Sequence, residues 1–411
     1  MLKIPFQTFT LSNGLKVIVN EDHTLPKVVL NVLYHVGSKD EEAHRTGFAH
    51  LFEHLMFEGS KHIPHYDAPL QQAGGTNNAF TSCDITNYYL ELPSNQVETA
   101  FWLESDRMLE LDFSEEKLAI QKSVVIEEFK QRYLNQPYGD AMNLLRGLAF
   151  QTHPYQWATI GKEIAHIEDA TLQDVKDFFF GYYAPNNATL VVSGDISLAE
   201  AERLAKKWFE PIPNRALKKH KLPQEPKQTG ARFMETKGDV PFIGIYKMYH
   251  IPEIAHRDHY VLEMLCFLLT NGKAAKLYQS LVQDQQIATS VSAFSWGMAD
   301  PGVLSLNAQL AENKSIEEYE KVLSETLANI QSLTEDDLIR TKNKFQAGFL
   351  MEKMTLLNNA MGLAWCDFLG DINLYNEMPN IYESITLKDI KTCAAKYFDA
   401  SNCSTLYYLP K

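Results

Sequence analysis

Cysteine is scarce in this chain: five residues among 411 (Cys83, Cys266, Cys366, Cys393 and Cys403), odd in number and without a C-x-x-C pair. Unpaired thiols of this kind persist in a reducing compartment, and a cytoplasmic location is expected. No apolar run approaches the roughly 20 residues that a helix needs to cross a bilayer, so no membrane span is expected. The opening stretch, Met1 to Thr10, lacks both an apolar core and a small-residue cleavage site, and no secretory leader is expected. Positive charge is in deficit as well. With 38 basic and 52 acidic side chains the formal net charge is −14, which argues against a nucleic-acid partner and against an anionic membrane surface.

What is present suffices for two domains, since 45% of the 411 residues are hydrophobic. The most informative stretch runs from Gly47 to Gly59, G-F-A-H-L-F-E-H-L-M-F-E-G, and carries His50, Glu53 and His54 in the order H-x-x-E-H. On a helix, His50 and His54 are i and i+4 neighbours and Glu53 lies beside them. Two imidazoles and a carboxylate that converge in this way suit a zinc ion, with the carboxylate placed to take a proton from metal-bound water. The order inverts the commoner H-E-x-x-H and is itself a known catalytic pattern. Thr46 is the expected N-cap and Gly59 the expected terminator of this helix.

Before the motif, Phe9 to Asn20 reads as a hairpin about Asn13-Gly14, and Pro26 to Val36 as a buried strand. After it, the Gly74-Gly75 turn leads to a strand near Asn78 to Ser82 and a second through Tyr88 to Leu92. Helices are expected from Ser94 to Leu109 and from Ser114 to about Leu134. In the latter, Leu118, Gln121, Val125, Glu128 and Arg132 share one face. A carboxylate on that apolar stripe needs a partner if buried, and a metal would serve; Glu127 is the rival, because an E-E pair leaves the helical phase open.

Residues 211 to 230 are rich in proline and lysine and read as an interdomain linker. Beyond them the chain repeats itself. T-L-Q-D-V-K from Thr171 matches T-L-K-D-I-K from Thr386, an offset of 215 (386 − 171), and the same offset relates Pro26 to Pro241, Tyr34 to Tyr249, Tyr182 to Tyr397 and Asn187 to Asn402. Two homologous α+β domains are therefore expected, each an antiparallel-rich sheet packed with helices: residues 1–212 with the metal motif, a linker at 213–231, and 232–411. At that offset His50, Glu53 and His54 become Leu265, Leu268 and Leu269, so the second domain retains the scaffold without the chemistry.

These stretches, together with L-S-N-G-L-K-V, V-G-S-K-D-E, G-G-T-N-N-A-F-T-S-C-D-I-T-N-Y-Y, V-V-I-E-E and Y-Y-A-P-N-N-A-T-L-V-V-S-G-D, resemble the pitrilysin/insulinase family of zinc metallopeptidases along nearly the whole chain. Within it they are similar to the short two-domain type of the mitochondrial processing peptidase. The resemblance implies one zinc ion per chain held by His50, His54 and Glu128, with Glu53 as general base. It further implies that the strand Asn78-Ala79-Phe80-Thr81 offers its edge to an extended peptide substrate.

Two positions depart from the family pattern. An acidic residue commonly stands seven positions before the third ligand; here it is Gln121, beside the metal's ligands but uncharged. A second-domain stretch like L-R-x-x-x-G-L-A-Y, whose arginine and tyrosine hold substrate, reads Leu281 to Thr289 here, and Val282 and Thr289 cannot supply those groups. The family builds a closed chamber from four such domains, so a dimer is expected: a heterodimer with a homologue that retains the Arg/Tyr pair, with a homodimer as the alternative. The expected function is zinc-dependent endopeptidase action on peptides or small unfolded proteins. A non-catalytic scaffold subunit on the same fold, or a module that captures peptides without cutting them, are the competing readings.

Overall fold

The computed structural model describes residues 2–218 and 221–411. The chain forms two compact units, each built on one sheet. The first comprises Met1–Phe129, Trp157–Leu222 and Phe349–Glu377; the second comprises Lys130–Gln156, Pro223–Gly348 and Met378–Lys411. This differs from the contiguous division at 1–212 and 232–411 read from the sequence, because residues 130–156 group with the second unit and 349–377 with the first. Each exchanged segment is entered along a helix. Glu115–Phe129 runs on into a π-helical turn at Lys130–Leu134, and Glu335–Glu352 continues through residue 348. Composition marks where a chain changes character, not which neighbour a helix packs against.

In the first unit the strands are β1 (Gln7–Thr10), β2 (Lys16–Glu21), β3 (Lys27–Tyr34), β4 (Thr76–Thr81), β5 (Thr86–Pro93) and β6 (Ala188–Gly194), in the order β1-β2-β6-β3-β5-β4. Among the described residues only the β2–β6 pair of this sheet is parallel. The expected hairpin joins β1 and β2, with Gly14 in the left-handed conformation, φ 93°. β3 lies between β5 and β6, and its apolar run is buried from Val28 to Tyr34. A helix from the exchanged segment, Leu356–Phe368, packs on β3 and β6. β4 closes the sheet on one side as an edge strand, paired only with β5 among the described residues.

Among the described residues the second unit repeats this plan without a counterpart of β1: β7 (Arg232–Gly238), β8 (Gly244–His250), β9 (Ala288–Trp296), β10 (Val303–Leu310) and β11 (Cys403–Pro410), ordered β7-β11-β8-β10-β9 with β7–β11 parallel. The repeat extends to register. Tyr34 pairs with Ala188, and Tyr249 pairs with Cys403. The Asn187 side-chain amide donates to the carbonyls of His35 and Tyr182, as that of Asn402 does to those of His250 and Tyr397. The segment expected as a linker is tied down in its described parts; Lys219 and His220 lie outside the described residues. The Arg215 guanidinium donates to the Leu109 carbonyl at 2.6 Å in the first unit. In the second, the Glu225 carboxylate accepts from the backbone N–H groups of Gln151, Thr152 and His153.

Candidate active site and metal centre

The motif folds as the helix Phe48–Leu55, preceded by Gly47 at φ 91°. A Cβ at Gly47 would stand 2.6 Å from the Ile160 carbonyl oxygen, so both conformation and space require glycine. Glycine has no side chain with which to cap a helix. Glu41 does so from the preceding loop, its carboxylate accepting from Gly47 N–H at 2.9 Å and Ala49 N–H at 2.8 Å. A carboxylate there also suits the positive end of the helix dipole. Burial nevertheless raises the Glu41 carboxyl from the ordinary 4.5 to about 8, outweighing the two N–H donors. Thr46, expected to be the N-cap, is engaged elsewhere. Its hydroxyl lies 2.8 Å from His166 Nδ1 and accepts from Lys162 N–H at 2.7 Å.

Beneath the helix, the buried Phe52 ring stacks on Tyr183 at 5.2 Å and packs against Phe178 at 5.0 Å, which fixes the face on which the histidines stand. The rings of His50 and His54 have centroids 4.9 Å apart. Glu128 comes to them from the helix Glu115–Phe129, continuing the buried stripe Leu118, Gln121 and Val125, while Glu127 is exposed. Arg132, the last member of the expected stripe, is exposed in the π-helical turn. Glu128 Oε2 lies 3.7 Å from His50 Nε2 and 3.5 Å from His54 Nε2. Three ligand atoms, one from each residue, fall within 4.8 Å of one another.

Those distances test the fit of a metal. Zinc bonds of about 2.0–2.1 Å in tetrahedral directions hold neighbouring donors about 3.3 Å apart. The two carboxylate–imidazole separations, 3.5 and 3.7 Å, need only a small contraction, and the third donor pair lies within 4.8 Å. An N,N,O donor set with a fourth direction open is the catalytic type of zinc site, so the residues fit the ion.

Glu53 stands beside the cluster, and its Oε2 accepts a hydrogen bond from Thr81 Oγ1 at 2.6 Å. Thr81 ends β4, where burial alternates: Asn77, Ala79 and Thr81 are half-buried, and Asn78 and Phe80 are exposed. The helix therefore faces the odd residues of the edge strand. Asn78 Oδ1 accepts from Ala79 N–H at 2.8 Å, so one backbone donor of this strand is occupied by its own neighbour. Gln121 Oε1 lies 3.2 Å from His54 Nδ1, and Gln121 Nε2 donates to Glu58 Oε1. Helical phase places Gln121 near His54 and Glu128, but sequence reasoning misses Glu41 and Glu58. The signal for Glu58 is its position four residues after His54; for Glu41 it is a helix start at glycine, which leaves the first turn in need of an acceptor.

In the second unit, Leu265, Leu268 and Leu269 lie buried on the helix Arg257–Thr270 and present no ligand. Val282 is half-buried in the π-helical turn Tyr278–Asp284, and the Thr289 hydroxyl donates to the Gln309 carbonyl at 3.2 Å. Gln286, standing where the family pattern has glycine, keeps a left-handed backbone at φ 49°.

Known proteins agree with this layout. The family model described as "Insulinase (Peptidase family M16)" matches residues 16–161, and that described as "Peptidase M16 inactive domain" matches residues 169–345. The chain is 29% identical to the zinc protease PqqE of Helicobacter pylori over 98% of its own length and 93% of that protein. It is 24% identical to an uncharacterized zinc protease, YmxG, of Bacillus subtilis over 95% of each. The crystal structure of a protease from Helicobacter pylori superposes with a TM-score of 0.93 at 28% identity, covering 99% of this chain and 100% of that one. The same two-part plan thus recurs in sequence and in structure, and the chain belongs to the insulinase family of peptidases, M16.

Proposed function

We propose that this chain is a zinc-dependent endopeptidase that cuts peptides or small unfolded proteins. The observation that carries the reading is the convergence of His50, His54 and Glu128 beside Glu53, with Glu53 bonded to the last residue of an edge strand. Bound there, zinc supplies a polarised substrate carbonyl and a water of lowered pKa. The chain's own groups do the rest. Glu53 accepts the proton of the attacking water and passes it to the leaving amine. Thr81 holds the Glu53 carboxylate in place through Oε2. The edge of β4 from Asn78 to Thr81 receives the extended substrate as an added strand, with Phe80 offering an exposed apolar contact.

Val282 and Thr289 favour a partner. Neither side chain carries a cation or a phenol, so a homodimer would lack the Arg/Tyr pair throughout. The reading therefore includes a heterodimer with a homologous subunit that supplies the pair. A cytoplasmic location belongs to it too, supported by five cysteines that are all buried and outside any disulfide. Among the described residues no helix is long and apolar enough to cross a membrane.

The test is metal analysis with a quenched-peptide assay on the chain alone and on the complex co-purified from its native source. One zinc per chain, weak cleavage alone, stronger cleavage in the complex and loss of both cleavages in Glu53→Gln are expected. Zinc binding with no Glu53-dependent hydrolysis in either sample would replace this reading with that of a scaffold subunit.

A further inference from the structure

We infer that Glu58 is a positioning residue for His54, acting through the amide of Gln121. A glutamate carboxylate only accepts hydrogen bonds, so the group Gln121 turns toward Glu58 is its NH2. The carbonyl oxygen Oε1 then faces His54 Nδ1, at 3.2 Å. An oxygen at that place accepts, so Nδ1 carries the proton. The other ring nitrogen, Nε2, on the side of Glu128 Oε2 3.5 Å away, is then the one whose lone pair a cation held between the two would take. One fixed acceptor thus sets an amide orientation, and the amide sets a tautomer.

The supports of this chain of bonds are themselves held. Gln121 is 9% exposed on the buried stripe of its helix, which leaves its amide few other partners. The backbone of Glu58 is pinned by Lys117 Nζ, which donates to the Glu58 carbonyl at 2.8 Å and also to Asp112 Oδ2 at 2.8 Å. Without Glu58 the amide is free to turn over and present NH2 to His54. That orientation favours the tautomer with the proton on Nε2, the wrong nitrogen for a ligand. An amide at position 121 needs a carboxylate behind it, whereas a carboxylate at 121 would accept from Nδ1–H directly and need no such support.

This role for Glu58 rests on the metal reading, and two measurements separate them. In the metal-free chain labelled with 15N-histidine, with the signal assigned by its loss in His54→Ala, His54 is expected to carry a proton on Nδ1. In Glu58→Ala the Nε2–H form should gain population. For zinc affinity, Glu58→Ala should cost about 10-fold where residue 121 is glutamine, within the usual range for groups behind a ligand, and less than about 2-fold in the Gln121→Glu background. A mere loss of nearby negative charge, or of packing, would lower affinity equally in both backgrounds. An Nε2–H tautomer in the metal-free wild type, an equal cost of Glu58→Ala in both backgrounds, or no cost in either would overturn the inference. A wild-type chain in the Nδ1–H form that takes up no zinc would retain the relay to His54 and reject the metal reading.

Discussion

Thr81 Oγ1 donates a 2.6 Å hydrogen bond to Glu53 Oε2, joining the end of the edge strand to the carboxylate on the motif helix. A bond to a charged group contributes about 1.5 kcal/mol or more, enough for a tenfold change in rate if it is made in the transition state. Thr81→Val keeps the branched shape that suits a strand and removes the donor. Its kcat is expected to fall about 10-fold with zinc content unchanged. Steady-state kinetics and metal analysis on one preparation check this; unchanged kcat would dismiss the bond as incidental.

Two neighbouring glutamates provide a sharper comparison. Glu128 faces both histidines, whereas Glu127, one residue earlier, is exposed. Glu128→Gln should lower zinc affinity by more than about 100-fold, the upper end of what changes behind a ligand cost, while Glu127→Gln should change it little. Chelation gives an independent readout. At zinc concentrations about 100 times Kd, a bound ion adds about 2.7 kcal/mol to stability. A chelator should therefore lower the Tm of the wild type and of Glu127→Gln, and leave that of Glu128→Gln where it was.

The duplicated helices make a matched pair. Thr171 and Thr386 each cap a helix by accepting from the N–H of Asp174 and Asp389, both at 3.2 Å, and each aspartate accepts in return from the threonine N–H. Replacing either threonine by alanine should destabilise its own unit by about 1 kcal/mol. Denaturant unfolding of the two variants checks it, with similar losses expected. A loss at one site only would mean that the shared geometry does not carry a shared energy.

The histidines, Glu53 and the Leu118, Gln121 and Val125 stripe are legible in the sequence because helical phase alone places them. So is the repeat, down to the register of Tyr34 and Tyr249, because both halves keep the residues that close their sheets. Glu128 is separable from Glu127 only once the helix has a neighbour. The role of Thr46 escapes sequence reasoning for a similar reason: its partners His166 and Lys162 lie more than 100 residues away, whereas capping rules see only the next three. The exchange of residues 130–156 and 349–377 between the units has no local signature at all.

Glu41 yields a prediction whose sign follows from burial. Its carboxyl is raised from 4.5 to about 8 in the folded chain, so between those values the native state holds a proton that the unfolded state has released. Stability then falls as pH rises through this window, by up to about 1.4 kcal/mol per pH unit, and levels off above about 8. Glu41→Gln carries no titrating group there. It also leaves one of the N–H groups of Gly47 and Ala49 poorly matched, so it should be less stable than the wild type at low pH and lose its disadvantage as pH climbs. Comparing denaturant midpoints of the two proteins across this range cancels every other titrating group. A gap that is constant with pH would show that Glu41 stays charged at the head of the motif helix, and that the two N–H donors, rather than burial, set its protonation.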